Sequence, residues 1–387
     1  MTIHHPWDDA PPDGGAAEVA PGVLWLRLPL PLRLNHVNAY ALRDADGWTV
    51  IDTGFDGAAT RAAWEALLAG PMAGAPVTRL IVTHHHPDHI GLAGWFVARG
   101  AEMWTSRASF LTGRMLWLDP HDRPPPEQID FLRRAGMPAG QLAVKAGERP
   151  WNMADVVHPL PQGYRRLTEG QVVPFGDRNW RVALGEGHAP EMVTLWSQDD
   201  DLVIGGDQLL PGISPNLGVY PSEPDANPVQ DWLDSCARLA ALAEPRHLVL
   251  PGHKLPFRGL PARLAAMTEN HESALTRLAE ELGRAPRTAV DCFDLLFKRR
   301  IGDGEFGLAV VEAVAHINCL AHRGLIAPVG VTNDGGTLWG GVTRPAPCAS
   351  TAPKLRAEED HDGHAAPEPR PSDRAGPHAR HRARRVA

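Results

Sequence analysis

The sequence predicts an α/β protein in which strands and helices form a layered sandwich, followed by a smaller helical region. Two strand-rich stretches, each followed by helices, predict the layers. The chain has 387 residues, more than one typical domain, so we expect a main domain and an appendage. Its hydrophobic fraction of 43% and charged fraction of 22% are typical of globular proteins, and no apolar run approaches the ~20 residues of a membrane span.

The first strand-rich stretch follows residues 1–20, whose Pro, Gly, Ala and Asp content predicts a flexible N-terminal arm. Short apolar and partly β-branched runs predict strands at residues 23–26, 37–42, 48–51 and 79–82. The sequence Asp-Ala-Asp-Gly at residues 44–47 is typical of a hairpin turn. Apolar residues at helical spacing predict helices at residues 58–68 and 90–98.

A helical insertion at about residues 106–165 separates the two strand-rich stretches. Helices are predicted at residues 106–118 and 127–135, on either side of three consecutive prolines. The second stretch then predicts strands at residues 171–175, 180–184, 193–197, 202–204 and 248–250. We therefore assign residues 21–257 to the main domain.

Residues 258–344 predict a smaller helical domain. Apolar side chains recur at roughly helical spacing from Leu264 to Leu282, and a second apolar helix at residues 306–322 ends near Gly324, a C-cap residue type. Two short apolar runs around a Gly/Asn-rich turn follow, in an order that resembles a winged-helix module. Residues 345–387 are rich in Pro, Ala, Arg, His and Asp without apolar periodicity, which predicts a disordered tail.

The densest group of potential metal ligands follows the strand predicted at residues 79–82. The sequence Thr-His-His-His-Pro-Asp-His places His84, His86, Asp88 and His89 within six residues. Imidazole and carboxylate groups suit zinc, iron or manganese, and a loop at a strand end lets adjacent side chains converge where a regular strand would splay them. The loop can therefore build two half-sites of a metal centre.

The H-x-H-x-D-H pattern in this loop resembles the metallo-β-lactamase superfamily. That family also places a histidine after a later strand, a carboxylate after the next strand and a final histidine after a further one. The three positions are met in order by His188 in Gly-Glu-Gly-His-Ala-Pro, Asp207 in Ile-Gly-Gly-Asp and His253 in Leu-Pro-Gly-His. The resemblance spans about residues 23–256, and its motifs are highly specific as a set. It implies that residues 21–257 form the αββα sandwich of a catalytic domain.

The resemblance also implies a role for each of these residues. Two divalent metal ions are expected, zinc first, with iron or manganese as alternatives that the same ligands accept. The implied ligands are His84, His86 and His188 for one ion, Asp88, His89 and His253 for the other, and Asp207 between the two. Asp52 matches a further family position, from which a carboxylate could orient a ligand histidine. The family pattern assigns no metal to His85, which we expect to be structural or exposed.

A pair of bound cations implies hydrolysis, because it lowers the pKa of a shared water enough to hold a hydroxide near neutral pH and polarises a carbonyl or phosphoryl oxygen. We expect a metal-bridged hydroxide to attack a small ester, thioester or lactone, with Asp88 as a catalytic residue that accepts a proton or steers the nucleophile. The motif is most similar to that of the glyoxalase II (hydroxyacylglutathione hydrolase) branch, which also reads Thr-His-His-His-x-Asp-His. The 99 positions separating His89 from His188 imply a larger insertion than that branch carries.

Three other functions stay open at this point: a phosphodiesterase or nuclease on the same fold, an iron-dependent redox enzyme, and a metal-holding binding module. The full seven-ligand set disfavours redox chemistry, since oxygen-reducing and persulfide-oxidising relatives replace or omit part of it. Residues 260–344 contain nine Lys/Arg and ten Asp/Glu, which makes a poor phosphate-binding surface, so nucleic acid is an unexpected partner.

Substrate contacts and cellular setting follow from weaker signals. Tyr220, in the loop after Asp207, could hydrogen-bond a substrate oxyanion, and Lys254, next to His253, could meet an anionic group.

A net charge of −8 argues against broad attraction to nucleic acid. The N-terminal residues lack the apolar stretch of an export signal, and four widely spaced cysteines suggest neither a disulfide framework nor a thiolate metal site. We therefore expect a cytoplasmic enzyme with a small-molecule substrate, without membrane association, that could form a homodimer.

Overall fold

Two β-sheets that pack face to face form the centre of the molecule. The computed structural model describes residues 2–297 and 299–342. The first sheet has seven strands in sequential order: β1 (Ala16–Ala20), β2 (Val23–Pro29), β3 (His36–Asp44), β4 (Gly47–Ile51), β5 (Val77–Ile81), β6 (Glu102–Thr105) and β7 (Arg165–Arg166). Strands β1 to β4 pair antiparallel, whereas β4 to β7 pair parallel.

The second sheet has five strands and reverses its strand order. It consists of β8 (Val172–Phe175), β9 (Arg178–Gly185), β10 (Met192–Ser197), β11 (Leu202–Gly206) and β12 (Leu248–Pro251), in the order β12-β11-β10-β9-β8. Only the pairing of β11 with β12 is parallel among these described strands. Because β10 runs against both of its neighbours, β9, β11 and β12 all end at the same edge of the sheet.

Helices cover the outer faces of both sheets. The helices are α1 (Ala58–Ala69), α2 (Pro87–Ile90), α3 (Ala93–Val97), α4 (Arg107–Leu118), α5 (Pro126–Arg134), α6 (Ala139–Gly147), α7 (Pro228–Ala240), α8 (Leu260–Arg284), α9 (Phe293–Leu296) and α10 (Phe306–His322). Short 3₁₀ turns lie at Met153–Asp155, Val290–Cys292 and Asp303–Glu305, and an antiparallel hairpin of β13 (Ile326–Val331) and β14 (Thr337–Gly341) follows α10.

Among the described residues, three hydrophobic cores hold these layers together. The inner faces of the two sheets share one core, to which Trp25 of the first sheet and Trp180 of the second contribute. A second core lies between the first sheet and its helices, around Trp64, and a third lies between the second sheet and α7, α8 and α10, around Trp232. The αββα sandwich expected from the sequence is therefore confirmed. The third core also contains Val310 of α10, so the C-terminal helices pack directly on the sandwich.

The structure corrects the sequence-based expectations in three places. Residues 16–20, expected within the flexible arm, form β1, because they pair with the otherwise open edge of β2. The helix expected at residues 90–98 is split into α2 and α3, with Gly91 and Leu92 between them. Strands β6 and β7 and helices α6 and α7 were not expected. The predicted tail at residues 345–387 lies outside the described residues.

The strand ends bring the predicted ligand motifs together. Asp52 follows β4, the histidine-rich loop follows β5, and these two strands are parallel. His188, Asp207 and His253 follow β9, β11 and β12, which end at a common edge. Parallel strands place their carboxyl ends side by side, so motifs distant in sequence meet at one end of the sandwich. Within residues 2–297 and 299–342, no helix combines the length and the apolarity that a bilayer crossing needs.

Candidate metal centre

Three imidazoles converge in the first group of possible ligands. His84 Nε2 lies 3.0 Å from His86 Nδ1, which lies 3.0 Å from His188 Nε2. These three nitrogens are within 4.8 Å of one another, close enough to share one metal ion. His84 is fully buried, and the rings of His86 and His188 pack edge to face with centroids 4.4 Å apart. The predicted first set of ligands is thus assembled in one place.

A second group lies beside the first and contains Asp88, His89 and His253. Asp88 Oδ2 is 3.3 Å from His253 Nε2 and 3.6 Å from His89 Nε2. His89 and His253 are almost completely buried, whereas the Asp88 side chain retains 17% of its exposure. Asp88 therefore lies on the solvent side of this group.

Asp207 lies between the two groups. Its Oδ2 is 3.5 Å from His188 Nε2 in the first group, and 3.5 Å and 3.3 Å from the Nε2 atoms of His89 and His253 in the second. One carboxylate oxygen is therefore within reach of ligands from both groups.

The two groups and Asp207 together form one cluster of polar side chains. Two of its buried atoms are compatible with bound cations. His89 Nε2 and Asp207 Oδ1 are buried and have no hydrogen-bond partner among the described residues. Such atoms destabilise a fold unless a further group satisfies them. A cation does so, and imidazole nitrogens with carboxylate oxygens are donors that zinc, iron and manganese accept. The residues present therefore fit metal ions.

Comparison with known proteins gives the family. The model of the family described as "Metallo-beta-lactamase superfamily" matches residues 32–253, more than half of the chain. The chain belongs to the metallo-beta-lactamase superfamily. A second model, described as "Metallo-beta-lactamase-like, C-terminal domain", matches residues 275–331, from α8 to β13.

Similarity to individual proteins extends over most of the chain. A beta-lactamase domain protein from Burkholderia ambifaria is 35% identical, with a TM-score of 0.80 over 88% of this chain and 98% of its own. The "Probable metallo-hydrolase YqjP" of Bacillus subtilis is 25% identical over 77% of this chain and 92% of its own. The "Acyl-coenzyme A thioesterase MBLAC2" of Gallus gallus is 28% identical over 60% of this chain and 77% of its own.

Within this superfamily fold, the second ring nitrogen of four histidines meets an acceptor outside the cluster. His89 Nδ1 donates to Asp52 Oδ2 at 2.8 Å, and His84 Nδ1 lies 3.0 Å from Thr83 Oγ1. The Nδ1 atoms of His188 and His253 donate to the backbone carbonyls of Asn216 and His36, at 2.8 Å and 2.9 Å. Such bonds fix the tautomer and direct the Nε2 lone pairs into the cluster.

Asp52 is the centre of one of these outer networks. Besides His89, it accepts hydrogen bonds from the backbone N–H and the hydroxyl of Thr83, both at 2.8 Å. Its backbone has φ of 61°, which is rare for a residue with a side chain. The Asp52 carboxylate thus contacts His89, and its role in orienting a metal ligand stays a prediction.

Burial and charge act on the titration of the cluster in opposite directions. Burial and the neighbouring imidazoles hold the pKa values of His84 and His86 well below their usual range, which favours the neutral, metal-binding form. For His253 burial opposes the charged form, but the carboxylates of Asp207 and Asp88 together outweigh it and raise the pKa to about 10. Metal ions and protons compete for such a site, so metal binding releases protons.

The glycine before His253 is needed for close approach. A Cβ at Gly252 would lie 2.2 Å from Asp207 Oδ1 and 2.9 Å from His89 Cε1. Any side chain at this position would therefore displace Asp207 and His89. The glycine was visible in the Leu-Pro-Gly-His motif, but its purpose emerges only from the packing.

Strand β3 supplies supporting residues that the sequence analysis did not identify. Asn38 Nδ2 donates to the carbonyls of Pro251 and Lys254, and the hydroxyl of Tyr40 donates to Pro251. His36 Nε2 accepts the backbone N–H of Lys254, and burial lowers the pKa of this histidine to about 4. These three polar side chains alternate along one strand, a period-2 signal that could have indicated them.

The remaining predicted residues lie at the edge of this arrangement. His85 is buried, which excludes the exposed position that was one of the two expected for it. Burial lowers its pKa to about 3. The Lys254 side chain is exposed, and its backbone has φ of 69°. Tyr220 is 48% exposed and makes no hydrogen bond to the cluster within the described part of the chain. The structure thus leaves the substrate contacts expected of Tyr220 and Lys254 as predictions.

Proposed function

We propose that this protein is a metal-dependent hydrolase of a small ester, thioester or lactone, and that it holds two divalent metal ions, zinc first. One observation carries the proposal: Asp207 Oδ2 lies within 3.5 Å of imidazole nitrogens from both ligand groups. A metallo-hydrolase is the reaction class that the family model and these donors support. The similarity to the thioesterase of Gallus gallus supports thioesters within that class.

The chain's own residues then perform three tasks. His84, His86 and His188 would hold one cation, and Asp88, His89 and His253 the other. Cations at these positions would lower the pKa of a bound water and polarise the scissile carbonyl. Asp88 lies on the solvent side of the cluster, where its carboxylate can accept the proton of the attacking water and pass it to the leaving group. The buried Asp52 holds His89 in one tautomer throughout.

We also propose a finer placement within the superfamily. The Thr-His-His-His-x-Asp-His motif supports a glyoxalase II-like branch. The order α8, α9, α10 and the β13–β14 hairpin supports the winged-helix-like C-terminal module expected at residues 258–344. That module packs on the second sheet through the core around Trp232, so we expect it to act together with the catalytic domain.

The test is metal content of the purified protein, followed on the same sample by a panel of thioesters, lactones and phosphodiesters. We expect about two zinc, iron or manganese ions per chain and turnover of the thioesters or lactones that chelation removes and metal restores. Preferential phosphodiester cleavage would replace the proposal with a nuclease-type function. One ion or none, without turnover of any substrate, would contradict hydrolysis and favour redox chemistry or binding.

A further inference from the structure

We propose that Asn216 and Glu312 are positioning residues for the ligand histidine His188, so that helix α10 determines the geometry of one metal-binding group. This inference rests on the proposed metal centre but not on the identity of the substrate. A continuous path of hydrogen bonds joins helix α10 to His188.

The first step of the path fixes the orientation of His188. Its Nδ1 donates to the backbone carbonyl of Asn216 at 2.8 Å, so its Nε2 carries the lone pair that faces His86 and Asp207. A shift of the Asn216 carbonyl would therefore rotate the imidazole away from the other two nitrogens of its group.

The second step fixes Asn216 itself. Its side-chain Nδ2 donates to Glu312 Oε2 at 2.7 Å and to the carbonyl of Leu308 at 3.1 Å, both on α10. One asparagine thus connects the two regions: its backbone contacts the ligand and its side chain contacts the helix. The two acceptors lie one helical turn apart on α10, so they hold the amide in a single orientation.

The loop that carries Asn216 depends on the C-terminal helices. It runs from β11 to α7 without regular structure of its own. Val219 N–H donates to the carbonyl of Val311 on α10 at 3.1 Å. Arg263 of α8 donates to the carbonyls of Leu210 and Ile213 at 2.6 Å and 2.7 Å. The position of this loop is therefore set by α8 and α10.

Glu312 is an unusual residue for packing alone. Its position on α10 lies among apolar neighbours, where Val310 and Ala313 are fully buried. Burial raises the pKa of Glu312 to about 7, so the carboxyl is held against its preference for water. An apolar side chain would fill the same place without that desolvation. The hydrogen bond to Asn216 gives the carboxyl a purpose that packing does not.

The experiment compares Co²⁺ binding by the full-length protein and its variants after chelation has removed bound metal, since Co²⁺ takes the place of zinc in N/O sites and reports ligand geometry through its visible absorption. The variants are Asn216→Ala, Glu312→Ala, the double variant and the conservative Glu312→Gln. Glu272→Ala is the matched control, because it removes a carboxylate that accepts hydrogen bonds from Arg323 of the C-terminal region and does not belong to the path through Asn216.

We expect Asn216→Ala and Glu312→Ala each to weaken Co²⁺ affinity by about tenfold and to change the absorption spectrum, in the range found for outer partners of metal ligands. The double variant should be no weaker than either single variant beyond about twofold, because both break the same path. Glu312→Gln keeps an acceptor oxygen for Asn216 and should retain affinity and spectrum.

Three results would overturn the proposal. The first is unchanged affinity and spectrum in Asn216→Ala and Glu312→Ala. The second is an equal loss in Glu272→Ala, which would show that general loosening of the C-terminal helices is responsible. The third is failure of Glu312→Gln to restore binding. Because Co²⁺ binding is measured without substrate, a failed hydrolysis assay would leave this test intact.

Discussion

The two groups of candidate metal ligands hold their histidines by different means. His89, in α2, donates to the carboxylate of Asp52, which also accepts two hydrogen bonds from Thr83, and Asp52 and Thr83 follow the neighbouring strands β4 and β5 of one sheet. His188 donates to a backbone carbonyl on a loop that α8 and α10 hold in place. The first arrangement is internal to the sandwich, whereas the second depends on α8 and α10, two helices that follow the sandwich strands in the chain.

The orientation of His89 therefore depends on a contact within the sandwich, and that of His188 on a contact with a loop held by the C-terminal helices. Hydrogen bonds to charged groups contribute roughly 1.5–3 kcal/mol and neutral ones about 1 kcal/mol, so the bond to Asp52 is the stronger orienting contact. The bond to the Asn216 carbonyl is weaker, and its geometry follows the position of the C-terminal helices. Substitutions in the C-terminal helices should therefore disturb the orientation of His188 more than that of His89.

The largest effect should come from Asp207→Ala, because this variant removes the carboxylate that contacts histidines of both groups. We expect loss of at least one metal ion and a fall in kcat/KM greater than the roughly 100-fold that loss of an outer partner produces. Metal analysis and steady-state kinetics on the same preparation measure both. Asp201→Ala is the control, since Asp201 precedes the same strand and pairs with Arg246 at the surface. A variant that lost metal but kept the native activity would show that the cluster is not catalytic.

The second-largest effect should come from Asp52→Asn, which changes the contact that orients His89. The substitution keeps the shape of the side chain but weakens its hydrogen bond to His89, so we expect a loss of about 10- to 100-fold in metal affinity or kcat/KM. Asp56→Asn is the matched control, because Asp56 lies in the same connection and pairs with Arg61 instead of a ligand. If both variants behaved like wild type, Asp52 would not be needed to orient His89.

The same division explains what the sequence could predict. His84, His86, Asp88 and His89 were recognisable because they are adjacent and their spacing is itself the signal. Asn216 and Glu312 were not, since they are 96 positions apart and meet only after α10 has packed beside the loop. Residue type gave no indication, because a lone asparagine and a lone glutamate are most often exposed.

The fold shows the same pattern. The strands of the sandwich were predictable from short apolar runs, whereas β1 and the two-residue β7 exist through pairing with a neighbour and have little apolar pattern of their own. Helix α7 is different, because its signals were present. Asn227 caps it, Pro228 follows at the first helical position, and its buried residues recur at helical spacing.

The free energy of unfolding should depend less on pH in Glu312→Gln than in the wild-type protein. Glu312 contacts Asn216, whose carbonyl orients His188. Burial raises the pKa of Glu312 from 4.5 to about 7, so between these values the folded protein binds a proton that the unfolded chain releases. Stability then falls as pH rises through this window, by roughly 1–3 kcal/mol for this group.

A glutamine at this position cannot titrate, so the variant should gain stability relative to wild type between about pH 5 and about pH 8. Urea unfolding at the two pH values measures the difference in free energy of unfolding between variant and wild type. Both proteins contain the same histidines, so the contribution of histidine titration cancels in this difference. Glu280→Gln, on the exposed side of α8, is the control for loss of a carboxylate. A difference that does not change with pH would mean that Glu312 is not held in an unfavourable ionised state.

The smallest effect should come from Lys254→Ala, which tests whether the loop of His253 contacts substrate or only supports the cluster. The ammonium group is exposed, so its contact with an anionic substrate is expected to contribute up to about 1 kcal/mol, or roughly a fivefold rise in KM without loss of kcat. A neutral ester of similar size is the internal control and should be unaffected. The backbone N–H of Lys254 donates to His36, whose carbonyl orients His253. An equal loss for both substrates would therefore mean that the substitution disturbed this backbone, and that Lys254 acts through His253 and not on the substrate.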